Sequence, residues 1–208
     1  MPNKPLTIKG MPIWKAFEGL IQDIQIAKDL ASWLLELHRV PLNDELGLEY
    51  NDFKINVVKR FNHRLDIKKH ALYFMDSGID MKMIQEVDEK IRDMKPLAHL
   101  SVWVHGDIFE RNVIFDGRQL WGIIDFGDVH IGHPAVDFSG LMMFDNDAVD
   151  AFLSIYPFPD KHTEPLMLIT AYFHSMNYLP YCYIQKNKDL MHWAGLFLRN
   201  TINRISKF

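Results

Sequence analysis

Cysteine is nearly absent: the only one in 208 residues is Cys182, which excludes an internal disulfide and any cysteine-built zinc cage. Flanked by Tyr181 and Tyr183, it reads as a buried thiol and not a reactive one. Long apolar runs are also missing, and the start Met1-Pro2-Asn3-Lys4-Pro5-Leu6 lacks the apolar segment of a secretion signal. A cytoplasmic protein with no membrane partner is therefore expected. No basic cluster is interleaved with aromatics: Lys59-Arg60, Lys68-Lys69, Arg199 and Arg204 are scattered, and the formal charge is −4. These charges read as solvated faces, which argues against a nucleic-acid partner. There is no internal repeat, low-complexity stretch or long linker.

What the chain does have is apolar bulk. With 48% apolar residues, 12% aromatics and 11 Met, it can fill an adaptable core. Residues 5 to 13 read as an extended piece closing at Gly10 and Pro12. Phe17, Leu20, Ile21, Ile24, Ala27, Ala31, Leu34 and His38 then recur at three- and four-residue spacing, predicting a long helix that stops near Val40-Pro41, with His38 a core histidine. Phe53, Val57, Phe61 and Leu65 suggest a second helix, and Met83, Val87, Ile91 and Met94 another that ends before Pro96.

The period then changes. Val102-Trp103-Val104, Val113-Ile114-Phe115 and Leu120 to Ile124 are short strand-like runs, with Asp116-Gly117 placed as the turn between the last two. Beyond Gly132-His133-Pro134 helices are expected over about 134–144, 146–156, 164–183 and 189–206, joined at Tyr156-Pro157-Phe158-Pro159-Asp160 by a rigid connector. The expected fold is α+β and mainly α, with a small β-hairpin element in its middle.

At the ends of those strands lie the chemically informative residues, His105-Gly106-Asp107-Ile108-Phe109-Glu110-Arg111-Asn112 and Ile123-Ile124-Asp125-Phe126-Gly127-Asp128. Asp107 and Asn112 are close enough for one loop to aim both into a single pocket, and Asp125 arrives from the next strand but one. Phosphoryl transfer needs an oriented acceptor hydroxyl and neutralised phosphates. Asp107 fits the first task, and Asn112 and Asp125 offer hard oxygen ligands for Mg²⁺.

His105-Gly106-Asp107-x-x-x-x-Asn112 with Ile124-Asp125-Phe126-Gly127 resembles the catalytic and metal-binding segments of the aminoglycoside phosphotransferase-like kinases, a family that includes choline, homoserine and macrolide kinases and shares the protein-kinase fold. The resemblance implies that Asp107 is the base or hydroxyl-orienting group, that His105 braces its loop and that Asn112 and Asp125 bind Mg²⁺. It implies ATP or GTP as donor, with Ile114 and Ile124 in the apolar floor under the base, and a small-molecule hydroxyl acceptor.

Ile8-Lys9-Gly10-Met11-Pro12-Ile13 looks like the end of that family's hinge, and Gly132-His133-Pro134-Ala135-Val136-Asp137 looks like its Gly-Asp-Pro-x-x-Asp motif. His133 departs from the pattern, which puts the acid's hydrogen bond in question; Asp137 matches the final acid and is expected to brace the catalytic loop. No Gly-rich loop precedes Lys4, Lys9 or Lys15, and none of the three lies in a strand followed by an acidic helix. The expected organisation is a hinge-like segment over 1–13 and a protein-kinase-like C-terminal lobe over 14–208, with the N-terminal lobe absent. That chain would be a fragment or a natural short form, with self-association or a partner covering the face such a lobe would meet.

Two other classes compete with a small-molecule phosphotransferase. A catalytically incompetent binding module would keep the acids but hold nucleotide poorly. A metal-dependent hydrolase would draw on His105, Asp107, Asp125, Asp128, His130 and His133. A cationic acceptor would want acidic subsites, for which Asp145, Asp147, Asp150, Asp160 and Glu164 are candidates, although charges near helix ends commonly serve the helix.

Overall fold

The computed structural model describes residues 11–12, 24–42, 74, 78–94, 100–109, 111–115 and 120–208. The expected helix around Phe53 to Leu65 and the turn at Asp116-Gly117 lie outside these residues, as do Leu6-Thr7-Ile8 and the first turns of the stripe that starts at Phe17. Among the described residues, strand β1 is Met11–Pro12 and helix α1 is Ile24–Arg39, ending where the sequence predicts. Helix α2 (Met81–Asp93) starts at Asp80, whose side chain accepts from the Met83 amide at 2.8 Å, a capping bond that satisfies one free helix donor.

Next come strands β2 (Val102–Val104), β3 (Val113–Phe115) and β4 (Leu120–Ile123), a 3₁₀ turn at Phe126–Asp128 and strand β5 (His130–Gly132). They form two small antiparallel sheets, ordered β1-β3-β4 and β2-β5. Alternation sorts β3 by face: Val113 and Phe115 join the main core, while Ile114, buried, points to the other side of its sheet.

The C-terminal half is helical: α3 (Ala135–Phe138) running into a 3₁₀ segment (Ser139–Met143), α4 (Asn146–Ile155), α5 (Thr163–Ile184) and α6 (Lys188–Ile205). One helix over 134–144 is not formed. A side chain at Gly140 would collide with the Ile108 backbone carbonyl, so this stretch is drawn tightly against the loop after β2, and the tighter 3₁₀ winding accompanies that contact. Helices α5 and α6 pack along each other, α1 packs on α4, and α2 on α6. Their inward faces build one core, with Ile26, Leu30 and Leu34 of α1 and Phe138, Phe152, Met167, Tyr172 and Leu198 among its members. Cys182 is buried in it, as its aromatic neighbours suggest.

No helix among the described residues is long and apolar enough to cross a membrane. The fold is mainly helical with few short strands, and the small sheets hold the motif residues at their ends.

Candidate active site

The loop after β2 is built around a buried carboxylate. Asp137, in the first turn of α3, has no exposed side-chain surface; its Oδ2 accepts from the His105 amide and its Oδ1 from the Gly106 amide, both at 2.8 Å. A carboxylate accepting backbone N–H groups makes charge-assisted bonds, roughly twice as strong as neutral ones. The expected bracing of the His105–Gly106 backbone by Asp137 is present. His38 completes the network, with Nε2 3.0 Å from Asp137 Oδ2 and Nδ1 2.9 Å from the Tyr156 hydroxyl. Burial, with Asp137 nearby, pushes the Tyr156 phenol up to about 12, so its proton is retained and available to Nδ1. His38 is thus a core histidine, as its helical position suggests, and also ties α1 to Asp137 and so to the loop after β2.

Gly106 has φ +87, a left-handed conformation that other residues adopt with strain, and a Cβ there would sit 2.5 Å from the Asp128 carbonyl oxygen. The glycine lets the two motif segments touch through their backbones. His105, fully buried, reaches across with Nε2 3.0 Å from the Ile124 carbonyl, and the Ile124 amide donates to the Asn112 carbonyl at 3.0 Å. Ile124 is therefore held from both sides. Asp125 follows it directly, beside the catalytic loop.

Asp107 is buried, and its carboxylate accepts three hydrogen bonds from two donors. Arg111 Nη2 bridges Oδ1 and Oδ2 at 2.7 Å each, and Asn112 Nδ2 donates to Oδ2 at 2.7 Å and to the Asp107 carbonyl at 2.9 Å. Asn112 spends its nitrogen this way, leaving its amide oxygen without a hydrogen bond among the described residues. Asp125 is similar: its carboxylate has no hydrogen bond among the described residues, it is exposed, and its backbone is left-handed at φ 65 and ψ 70. Left-handed backbone at a non-glycine residue costs of order 1 kcal/mol and gathers at functional sites. The Asn112 amide oxygen and the Asp125 carboxylate are hard oxygen donors, the kind that Mg²⁺ takes.

The other expected positions differ in fate. Ile114 is buried and Ile124 is half-buried next to Asp125. His133 replaces the acid of the resembling motif and takes over as an acceptor, its Nδ1 receiving the Ala135 amide at 3.1 Å at the start of α3. Burial lowers the His133 pKa against the pull of Asp160, whose Oδ2 lies 3.6 Å from Nε2. The hydrolase grouping is not assembled. His105 is spent on Ile124, His130 Nδ1 on the Asp128 carbonyl at 2.7 Å, and His133 faces Asp160. Among the described residues no three His, Cys, Asp or Glu side chains come together to hold a metal.

Arg111 is not among the residues that the sequence singles out. It sits four positions after Asp107 in a stretch where the resembling motif leaves identity open, so only its charge and its spacing could have pointed to it. Its guanidinium lies over the Phe109 and Tyr178 rings, 5.9 Å from each centroid. Phe109 is stacked on His174 at 3.6 Å and 8°.

The model of a family described as the phosphotransferase enzyme family (APH) matches residues 8–158. No curated protein matches by sequence. Among solved structures, a "Macrolide 2'-phosphotransferase type I" is 20% identical with TM-score 0.55, covering 84% of this chain and 58% of its own length. The GDP complex of wild-type aminoglycoside 2'-phosphotransferase-IIIa is 15% identical with TM-score 0.58, covering 92% and 66%. The GDP and kanamycin complex of APH(2")-IIia is 16% identical with TM-score 0.57, covering 90% and 65%. These likenesses establish the fold, and the chain spans less than two thirds of each relative's length.

Proposed function

The chain belongs to the phosphotransferase enzyme family, and from that premise we propose that it transfers the γ-phosphoryl group of ATP or GTP to a hydroxyl of a small molecule. Residues 14–208 act as the kinase-like catalytic lobe and 1–13 as its hinge-like lead-in. The observation that carries this reading is the contrast around Asp107. Its own carboxylate is held in a fixed plane, while the Asn112 amide oxygen and the Asp125 carboxylate have no hydrogen bond among the described residues.

Each carboxylate oxygen offers two lone pairs. Oδ2 of Asp107 receives Arg111 and Asn112, and Oδ1 receives Arg111 alone, so one acceptor position stays open on Oδ1. A substrate hydroxyl bonded there is oriented for attack and can give up its proton to Asp107 as the new O–P bond forms and the bond from the γ-phosphorus to the departing nucleoside diphosphate breaks. Asn112 and Asp125 would hold Mg²⁺, and the cation with its nucleotide would supply neutralisation of the phosphate charge. His105, Asp137 and His38 keep the loop from drifting, which matters because effective concentration depends on sub-ångström placement. Ile114 and Ile124 supply apolar surface under the base. GDP in two of the structural relatives, and kanamycin in one, support a nucleotide donor and a hydroxylated acceptor.

A binding module without turnover is the second reading, favoured by Arg111 covering both Asp107 oxygens. The two part on one experiment, transfer of labelled γ-phosphate into hydroxyl compounds by the full chain. Asp107→Asn is expected to lower transfer by at least about 10²-fold with the melting temperature little changed, since the group it removes acts in the transition state. Transfer at the native rate in that variant would overturn the role of Asp107.

A further inference from the structure

Arg111 has more to do than hold the base. We propose that it sets the charge specificity of the acceptor site, so that the acceptor is an alcohol with no positive charge beside its reacting hydroxyl. This rests on the phosphoryl-transfer reading of Asp107.

The open acceptor position on Asp107 lies on Oδ1, the oxygen that Arg111 Nη2 also bonds at 2.7 Å. Any hydroxyl arriving there comes up against the guanidinium. Asp107 and Arg111 cancel each other's charge, so the base offers an ammonium group no net attraction and the nearer cation repels it. The guanidinium is fixed by more than the ion pair, for it lies within cation–π distance of both Phe109 and Tyr178.

The side chains packed around Arg111 are aromatic. His174 and Tyr178, one turn apart on α5, are half-buried with centroids 5.2 Å apart, and Phe197 packs 5.7 Å from Phe109. His174 Nε2 is buried and, among the described residues, without a hydrogen-bond partner. Burial, with Arg111 adding to it, lowers the His174 pKa to about 3, so this ring adds no second cation at neutral pH.

Three acids that could have welcomed a cationic acceptor are occupied elsewhere. Asp145 caps α4 through the Ala148 amide, Asp160 accepts from the Thr163 hydroxyl and the His162 amide, and Glu164 lies 3.8 Å from Arg204. Asp147 and Asp150 are exposed on α4, the helix packed on α1.

The test measures binding of three probes to the full chain by ligand-observed NMR: benzyl alcohol, para-(hydroxymethyl)benzoate and para-(aminomethyl)benzyl alcohol. The aminomethyl compound is expected to bind about fivefold or more weakly than benzyl alcohol, the size expected for one charge repelled at a partly exposed site. Arg111→Gln is expected to erase that ordering and Arg111→Lys to keep it. Equal or tighter binding of the aminomethyl compound overturns the proposal, as does an ordering unchanged in Arg111→Gln or no binding of any probe. The native ordering is a test even where a variant fails to fold. Mg²⁺–nucleotide titrated into the same sample reports on the phosphoryl-transfer reading separately, so failure of one is distinguishable from failure of the other.

Discussion

The brace and the donor edge of this site lie side by side and are built on opposite rules. In the brace, Asp137 is enclosed and both its oxygens are paired, with His105, Gly106, His38 and Tyr156 joined around it. At the edge, Asp125 is exposed, backbone-strained and unpaired, and the Asn112 amide oxygen is left open. A paired buried charge holds shape, and an unpaired exposed one is available to a ligand. Substitution in the first region should therefore act on folding and in the second on binding.

The largest effect is expected at Asp137. Asp137→Ala leaves two loop amides and His38 without their partner, and removing one side of such a buried network costs about 3–5 kcal/mol. Urea unfolding would read this as a lower midpoint with an unchanged slope. A loss below about 1 kcal/mol would break the comparison, because it would place the brace among ordinary surface hydrogen bonds.

Asp125→Gly sharpens it from the other side. Glycine enters the left-handed region without strain, so stability is expected to hold or to rise by up to about 1 kcal/mol, while Mg²⁺-dependent nucleotide binding is lost. Thermal melting beside a binding titration checks both halves of that statement.

The smallest effect is a pH dependence at His174, next to Arg111. Its folded pKa lies near 3 against an ordinary 6.5, so between those values the unfolded chain holds a proton that the folded chain lacks. Unfolding then takes up a proton, and this group's contribution to stability falls as pH drops from about 6.5 toward about 3. His174→Phe is expected to show a shallower loss of melting temperature over that range than the native chain. Equal slopes would mean that His174 is not kept neutral by burial.

Much of this arrangement is legible in the order of the residues. Apolar spacing marks α1, α2 and the C-terminal helices because their buried stripes repeat with the helical period, and Asp107, Asn112 and Asp125 stand out because motif spacing is a local property. β5 is not legible: His130-Ile131-Gly132 is too short for an alternation to register, and it becomes a strand by pairing with β2. The helix expected over 134–144 fails at its middle because the approach of Gly140 to Ile108 is a tertiary contact. His38 reads as core from its stripe, yet its bonds run to residues about a hundred positions away, which no local pattern encodes. Arg111 escapes for a different reason, since its meaning lies in which oxygens it touches.

The most direct test of the account is isothermal titration of nucleotide into the full chain with and without Mg²⁺, repeated on Asp125→Gly. The account predicts binding that requires Mg²⁺ in the native chain and is lost in the variant while its melting temperature holds. Nucleotide binding that is indifferent to Mg²⁺, or that persists in Asp125→Gly, would contradict it.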